Sequence, residues 1–349
     1  MRYTIFGESH GPAIGVVLEG LPSGLLLDME AVAREMDRRA PGKNLMSTSR
    51  KEADQVQILS GLFEGRTCGT PLCAVIANTD TRSKDYQNDM PRPGHADYTG
   101  FVRYEGCNDY RGGGHFSGRL TAPLVFAGAV AKQILRQHGV TVGAHIASIY
   151  GIEDTPFDAV GETPERLKAI AEKPFPTISD EAGERMRRAI FDAREQLDSV
   201  GGSIECCVLG MPAGLGSPDF GCNVEGIVSQ YLFAVPAVKA VAFGAGFGFA
   251  AMRGSQANDP MTVENGTVQT TTNHTGGVNG GITNGMPIVF TAAMRPTPSI
   301  SQPQQTVSLS TMENATLTVR GRHDPCIVHR AVPVLEAACA LAMCEILKV

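Results

Sequence analysis

The sequence predicts a mixed α+β protein made of two related halves. Two observations carry this: a pair of short motifs recurs in the same order, and helical and strand-like patterns alternate along the chain. Gly20-Leu21-Pro22-Ser23-Gly24-Leu25 returns as Gly210-Met211-Pro212-Ala213-Gly214-Leu215, each copy following an apolar run. Gly65-Arg66-Thr67-Cys68-Gly69-Thr70-Pro71-Leu72 returns as Gly281-Ile282-Thr283-Asn284-Gly285-Met286-Pro287-Ile288, each copy leading into a strand-like run. Two matches in one order point to a duplicated unit, about 1–150 and 195–349, inside a single domain spanning 1–349. Two generic turn motifs would leave a similar trace.

The elements follow in chain order. Asp28 is a candidate N-cap, after which Met29, Val32, Ala33 and Met36 share one helical face and Arg38 and Arg39 fall in the last turn. Val56 and Ile58 alternate with polar residues, as in a half-buried strand. Pro123 suits the first turn of a long apolar helix that Gly139 ends. Thr163-Pro164 opens another helix by the same chemistry, and a charged helix from about Asp180 to Leu197 follows it between the two halves. The last helix, about Val334 to Leu347, is apolar nearly all round and is expected to be buried.

Composition narrows the function classes. The chain has 349 residues, 42% of them hydrophobic, with 40 Gly and no Trp. No apolar run reaches the roughly 18 residues of a membrane span, and Met1-Arg2-Tyr3-Thr4-Ile5-Phe6-Gly7-Glu8 carries no signal-peptide core. A cytoplasmic protein is expected. Nine Cys, with no Cys-x-x-Cys, read as buried free thiols in a reducing compartment. A net charge of −6 argues against general nucleic-acid binding. It leaves room for an anionic small ligand if Arg is concentrated in one cleft.

Two segments, about Pro41 to Ala53 and Thr79 to Ser117, are too long and irregular for ordinary connections and carry Arg and His, as functional loops do. Four motifs stand out. In Gly7-Glu8-Ser9-His10-Gly11 the flanking Gly let backbone approach a ligand, and His10 can donate a proton near neutral pH or simply cap a turn. In Arg92-Pro93-Gly94-His95-Ala96-Asp97 a turn presents Arg92 and His95 to one side, with Asp97 placed to orient His95 or to hold the loop together. Asp109 to Arg119 carries Gly112-Gly113-Gly114, a phosphate-cradle composition without the Gly-Lys-Ser/Thr ending of a P-loop. Arg320-Gly321-Arg322-His323-Asp324-Pro325 precedes the last helix, and a salt-bridged helix start would look the same. The four His stand in four separate loops without metal-ligand spacing, so no metal is expected. No Gly-x-Ser-x-Gly elbow supports a serine hydrolase.

Together these motifs resemble the chorismate synthase family. Gly7 to Pro22, Gly114 to Val130, and Arg322-His323-Asp324-Pro325-Cys326 through Glu336-Ala337 resemble its three signatures. Arg92 to Asp97, Asp198-Ser199-Val200-Gly201-Gly202 and Arg253-Gly254-Ser255-Gln256 also read as in that family, so the likeness covers essentially the whole chain. The resemblance implies a β-α-β sandwich, a homotetramer, and a reduced-FMN-dependent lyase of the shikimate pathway. Its reaction is the 1,4-anti elimination of phosphate from 5-enolpyruvylshikimate-3-phosphate to give chorismate, with no net redox change.

The resemblance also implies residue roles. His10 protonates the departing phosphate, His95 lies near the flavin N1 edge, and Asp324 assists proton removal near N5. Arg39, Arg50, Arg92, Arg119 and Arg322 clamp the polyanionic substrate, as planar guanidinium forks suit. FMN contacts fall on His115, Phe116, Ser117, Ala237, Gly280, Arg295, Pro296, Thr297, Pro298, Ser299 and Arg322. Six positions depart from the family pattern. His115-Phe116-Ser117-Gly118-Arg119 stands where many members read Arg-Ser-Ser-Ala-Arg. Leu45 stands where many carry Arg, leaving Arg50 or Lys43 to supply the charge. Pro236 replaces Asn, and Arg295 replaces Lys. A flavin- and anion-binding homologue with impaired catalysis is the rival reading. No Gly-x-Gly-x-x-Gly follows a strand, so NADPH-driven reduction of FMN is expected to fall to a separate flavin reductase.

Overall fold

The computed structural model describes residues 1–42, 54–80, 86, 88–319 and 323–349. The first half contains β1 (Arg2–Gly7), β2 (Ala13–Glu19), α1 (Met29–Arg39), β3 (Val56–Ser60), the small hairpin β4 (Leu62–Phe63) and β5 (Arg66–Thr67), β6 (Leu72–Ala77), α2 (Asp97–Arg103) and α3 (Thr121–Gln137). Then come β7 (Thr141–Ile149), β8 (Ile152–Glu153), α4 (Pro164–Ala171), α5 (Asp180–Glu195), β9 (Gly202–Leu209), α6 (Val224–Phe233), β10 (Val238–Phe243) and α7 (Gly254–Ala257). Two hairpins follow, β11 (Met261–Glu264) with β12 (Thr267–Thr270) and β13 (Val278–Asn279) with β14 (Ile282–Thr283). The chain ends with β15 (Ile288–Met294), the hairpin β16 (Gln304–Ser308) and β17 (Glu313–Leu317), and α8 (Val328–Leu347).

Two antiparallel sheets form outer layers around a helical middle. One has the order β1-β2-β6-β3 and the other β10-β15-β9-β7-β8. Apart from β8, the second repeats the first: β7, β9, β15 and β10 take the places of β1, β2, β6 and β3. α3 and α8 pack on one another, α3 also against β2 and β6, and α8 against β7 and β9. The resulting β-α-β sandwich has one main core. α3 buries every residue from Thr121 to Leu135, which explains why its sequence is apolar nearly all round, Lys132 and Gln133 apart.

The repeated motifs fold alike down to single hydrogen bonds. The Thr67 hydroxyl donates to the Pro22 carbonyl and accepts from Leu25 N at 3.0 Å. The Thr283 hydroxyl donates to the Pro212 carbonyl at 2.6 Å and accepts from Leu215 N at 2.9 Å. Gly24 and Gly214 stand at φ +83° and +93°, a region in which glycine meets no steric penalty. The two units do not divide where the sequence suggested. β7 pairs with β9, so the second begins at Thr141 and the α4–α5 segment is inserted between its first two strands.

Three further expectations are corrected. In α1, Met29 and Ala33 are exposed, and the buried face is Val32, Met36 and Arg39 with Ala31. The spacing from Val32 to Met36 to Arg39 is the true inward stripe. The last helix begins at Val328 rather than Val334 and contains Pro333. An interior Pro costs a helix about 3 kcal/mol; burying Val328, Ala331, Val332 and Val334 outweighs it. All nine Cys are free, but Cys68, Cys107 and Cys222 are exposed. Asp28 does cap α1, accepting from Ala31 N at 2.9 Å, and Thr163 caps α4. Among the described residues no helix is long and apolar enough to cross a membrane.

Candidate active site

A cavity of about 270 Å³ lies on the seam between the halves. The residues that open α3 (Ser117, Gly118, Arg119, Thr121) and the first turns of α8 (Ile327, Arg330, Ala331, Val334) both line it. Two helix N-termini therefore face the same space, which favours an anion there.

The glycine run sets the distance between two imidazoles. Gly112, Gly113 and Gly114 take φ of +62°, +83° and +55°. A Cβ on Gly112 would stand 2.5 Å from the His10 ring, and one on Gly113 would stand 3.0 Å from the His95 ring. On Gly114 it would meet the Asp109 carbonyl at 1.9 Å. Bare backbone thus threads between His10 and His95. Ser9 N donates to the Gly114 carbonyl at 3.1 Å, tying the His10 loop to the same run.

Asp97 organises the second loop. Arg92 forms a forked pair with it, Nε to Oδ2 at 2.7 Å and Nη2 to Oδ1 at 2.8 Å. His95 Nδ1 lies 2.6 Å from Oδ1, so the proton belongs on Nδ1 and Nε2 is left as an acceptor. Burial pushes the His95 imidazole down and Arg92 and Arg295 add to this, outweighing the Asp97 hydrogen bond, so His95 titrates below its ordinary value. It is neutral at neutral pH. Burial alone would raise the Asp97 carboxyl, but hydrogen bonds from Arg92 and His95 hold it well below the usual range. Arg92 also donates to Ser299 Oγ at 3.1 Å and lies over the Tyr86 ring, which stands perpendicular to the His10 ring at 5.3 Å between centroids.

Arg39 and Arg119 share one buried carboxylate. Each donates to a different oxygen of Asp54, whose side chain is 0% exposed. Arg39 also donates to Thr121 Oγ1 at 3.2 Å, and Arg119 to Asn78 Oδ1 at 3.1 Å. Burial pushes Arg39 down to about 10 despite Asp54, and the neighbouring Arg330 and Arg119 contribute to this. It remains a cation at neutral pH. Arg330 pairs with Asp324 Oδ2 at 2.7 Å.

Most of the expected site residues meet here. His10, His95, Asp324, Arg39, Arg92, Arg119, Phe116, Ser117, Ala237 and Arg295 through Ser299 line the cavity. His115 is exposed outside it, its Nδ1 3.0 Å from the Gly7 carbonyl, and Gly280 sits exposed at the turn between β13 and β14. Arg50 and Arg322, like Lys43 and Leu45, lie outside the described residues. Three residues were missed. Asp54 was hidden in the charged run Arg50-Lys51-Glu52-Ala53-Asp54, Tyr86 in a long loop, and Arg330 in a segment placed before the expected start of the last helix.

Comparison with known proteins decides the family. The family profile described as "Chorismate synthase" matches residues 1–347. The chain belongs to the chorismate synthase family. It is 47% identical over 348 residues to the "Chorismate synthase" of Thermococcus kodakarensis, covering 99% of this chain and 95% of the relative. It is 43% identical over 347 residues to that of Dehalococcoides mccartyi, covering 99% and 94%. A solved structure titled "Crystal Structure of Chorismate Synthase" superimposes with a TM-score of 0.76 at 31% identity, covering 99% of this chain and 91% of that one. The family is one of reduced-FMN-dependent lyases.

The cavity suits a flavin on its own features. Thr297 Oγ1 is buried on its wall with no hydrogen-bond partner among the described residues, a cost that a polar ligand edge would remove. Val235, Pro236, Ala237, Met294 and Ile327 supply an apolar surface for a flat ring, and Arg295 stands beside it. Ala237 holds φ +76°, a strained backbone that directs its carbonyl to Arg295 N at 3.0 Å.

Proposed function

We propose that this cavity removes phosphate from 5-enolpyruvylshikimate-3-phosphate to form chorismate by 1,4-anti elimination. The single observation that carries the assignment of roles is that His10 and His95 pack on one glycine run beside a cluster of buried arginines. Arg39, Arg92 and Arg119, with Arg50 and Arg322, bind the phosphate and carboxylates of the substrate. His10 supplies a proton to the departing phosphate oxygen. His95, held neutral by its burial with Arg92 and Arg295 beside it and oriented by Asp97, offers an unprotonated Nε2 to the cofactor edge. Asp324 assists removal of the C6 proton near the flavin N5 position. The C–O bond to phosphate and the C6–H bond break, one C=C forms, and substrate and product stand at the same oxidation level.

Phe116, Ser117, Ala237 and Arg295 to Ser299 would hold reduced FMN, with His115, Gly280 and Arg322 as further contacts. When bound it supplies a transient electron that is returned within the cycle. The apolar wall excludes water from that region. A homotetramer, a cytoplasmic location and a separate flavin reductase complete the reading. Intact pairing around His95, Asp324 and the arginines favours it over a flavin-binding homologue that has lost catalysis. The test is anaerobic turnover with chemically reduced FMN, following phosphate release and the absorbance of the conjugated diene. A folded, flavin-loaded protein that releases no phosphate would sink the proposal.

A further inference from the structure

Asp324 poses a physical problem. It lies between β17 and α8, outside any regular element that would fix its carboxylate. Its backbone is anchored next door, where Val200 N donates to the Pro325 carbonyl at 2.9 Å. Its side chain is gripped by Arg330, in the first turn of α8, with Nη1 2.7 Å from Oδ2. Arg330 does not hang free. Its Nε donates at 3.2 Å to the carbonyl of Arg39, the last residue of α1. That carbonyl is among those a helix end leaves without an internal partner. The two side chains of the ion pair are 15% and 14% exposed, and both line the cavity. A surface pair of this kind would hold nothing in place; this one is mostly withdrawn from water and tied at both ends.

We infer that Arg330 is a positioning residue for the proton-removal step. It fixes Asp324 against α1, the helix that also delivers Arg39 to the cavity. The geometry requires Arg rather than Lys, because one planar head must reach a carboxylate and a backbone carbonyl in different directions. Two guanidiniums, Arg330 and Arg39, then flank one region of the cavity. The inference rests on the reading that Asp324 assists removal of the C6 proton.

The test is steady-state kinetics of the flavin-loaded enzyme with ordinary and C6-deuterated substrate. Arg330→Met should lower kcat by about 10- to 100-fold with KM changed by less than about threefold. Its deuterium isotope effect should exceed that of the wild type, because proton removal becomes more limiting. In an Asp324→Asn background the same substitution should cost less than about threefold, since residues acting as a unit are not additive. Arg330→Lys, which keeps the charge and volume, covers the case in which the Met variant fails to fold; it should lie between wild type and Met and also show the larger isotope effect. A KM raised more than about tenfold with kcat kept would instead make Arg330 a substrate ligand. Full additivity with Asp324→Asn, or an unchanged isotope effect in both variants, would overturn the inference. Absence of turnover in the wild type strikes the reaction itself, whereas wild-type turnover with unaffected variants strikes only Arg330.

Discussion

Asp54→Asn is the sharpest probe of the cavity floor. The substitution keeps shape and removes one charge from a carboxylate that is 0% exposed, between Arg39 and Arg119 side chains that are 4% and 3% exposed. The two guanidiniums then face each other without a counter-ion. Breaking a buried pair typically costs about 3–5 kcal/mol, and one carboxylate serving two partners puts the expectation near the upper end. Burial alone would raise the Asp54 carboxyl, but Arg39 and Arg119 more than reverse this and lower it. Its stabilisation is therefore present above the unfolded value near pH 3.9 and is lost as pH falls through the lower folded value. Urea unfolding should show a constant deficit across neutral pH that narrows in acid. Inorganic phosphate can take the missing place: at about 100-fold excess over its dissociation constant, linkage returns about 2.7 kcal/mol. A deficit below about 1 kcal/mol, the worth of a surface pair, or a deficit that phosphate leaves untouched would refute the reasoning.

Other predictions follow from the same structure. His10→Ala should keep flavin binding and lose turnover by about 10²–10⁴-fold, and unchanged turnover would assign His10 to structure. Gly112→Ala places a Cβ 2.5 Å from the His10 ring at φ +62°, so phosphate release should fall more than about tenfold; full activity would mean that the His10 position does not matter. His145 is buried between Asp154 Oδ2 at 3.0 Å and Glu205 Oε2 at 2.8 Å. Burial alone would lower its imidazole, but the two hydrogen-bonded carboxylates raise it. Its stabilisation should be full below about pH 6.5 and fade as pH rises through the higher folded value. Stability of His145→Phe relative to wild type should improve in alkali, and a pH-independent difference would count against the triad. Thr67→Val and Thr283→Val should each cost about 1–3 kcal/mol in thermal unfolding, and add in the double variant; a large inequality would break the equivalence of the two turns.

Some of this was legible and some was not, for physical reasons. The turn motifs were readable because a left-handed backbone at Gly24 and Gly214 and a bridging hydroxyl at Thr67 and Thr283 admit few residue types. The place where the units meet was not, because β7 declares its partner only through register with β9, a long-range property. Caps at Asp28 and Thr163 are local chemistry and read directly. Arg330 was obscured because the last helix was expected to start only at Val334, whereas the helix already begins at Val328. Glu336 illustrates the same limit. In sequence it is one acid in an apolar helix; in the fold it is fully buried, receives a forked pair from Arg38 at 2.7 and 2.8 Å, and accepts from Ala144 N at 3.1 Å. No local pattern announces partners that distant.

The loop that carries His95 has a consequence for how the chain is made. Asp89 receives Ser308 Oγ and Ser310 N, both at 2.7 Å, Arg92 reaches Ser299, and the Gly94 carbonyl receives Arg295. Each of these ties spans more than 200 residues of sequence. On a ribosome the N-terminal sheet can form while the partners of this loop are still unsynthesised. α3 meanwhile waits with a bare apolar flank for α8, which lies far downstream. A nascent chain can thus be largely folded and chemically inert, and the proton-handling loop is locked only once residues 295–310 have emerged. A stop codon before β16 should yield a sheet-bearing, aggregation-prone fragment rather than a slow enzyme.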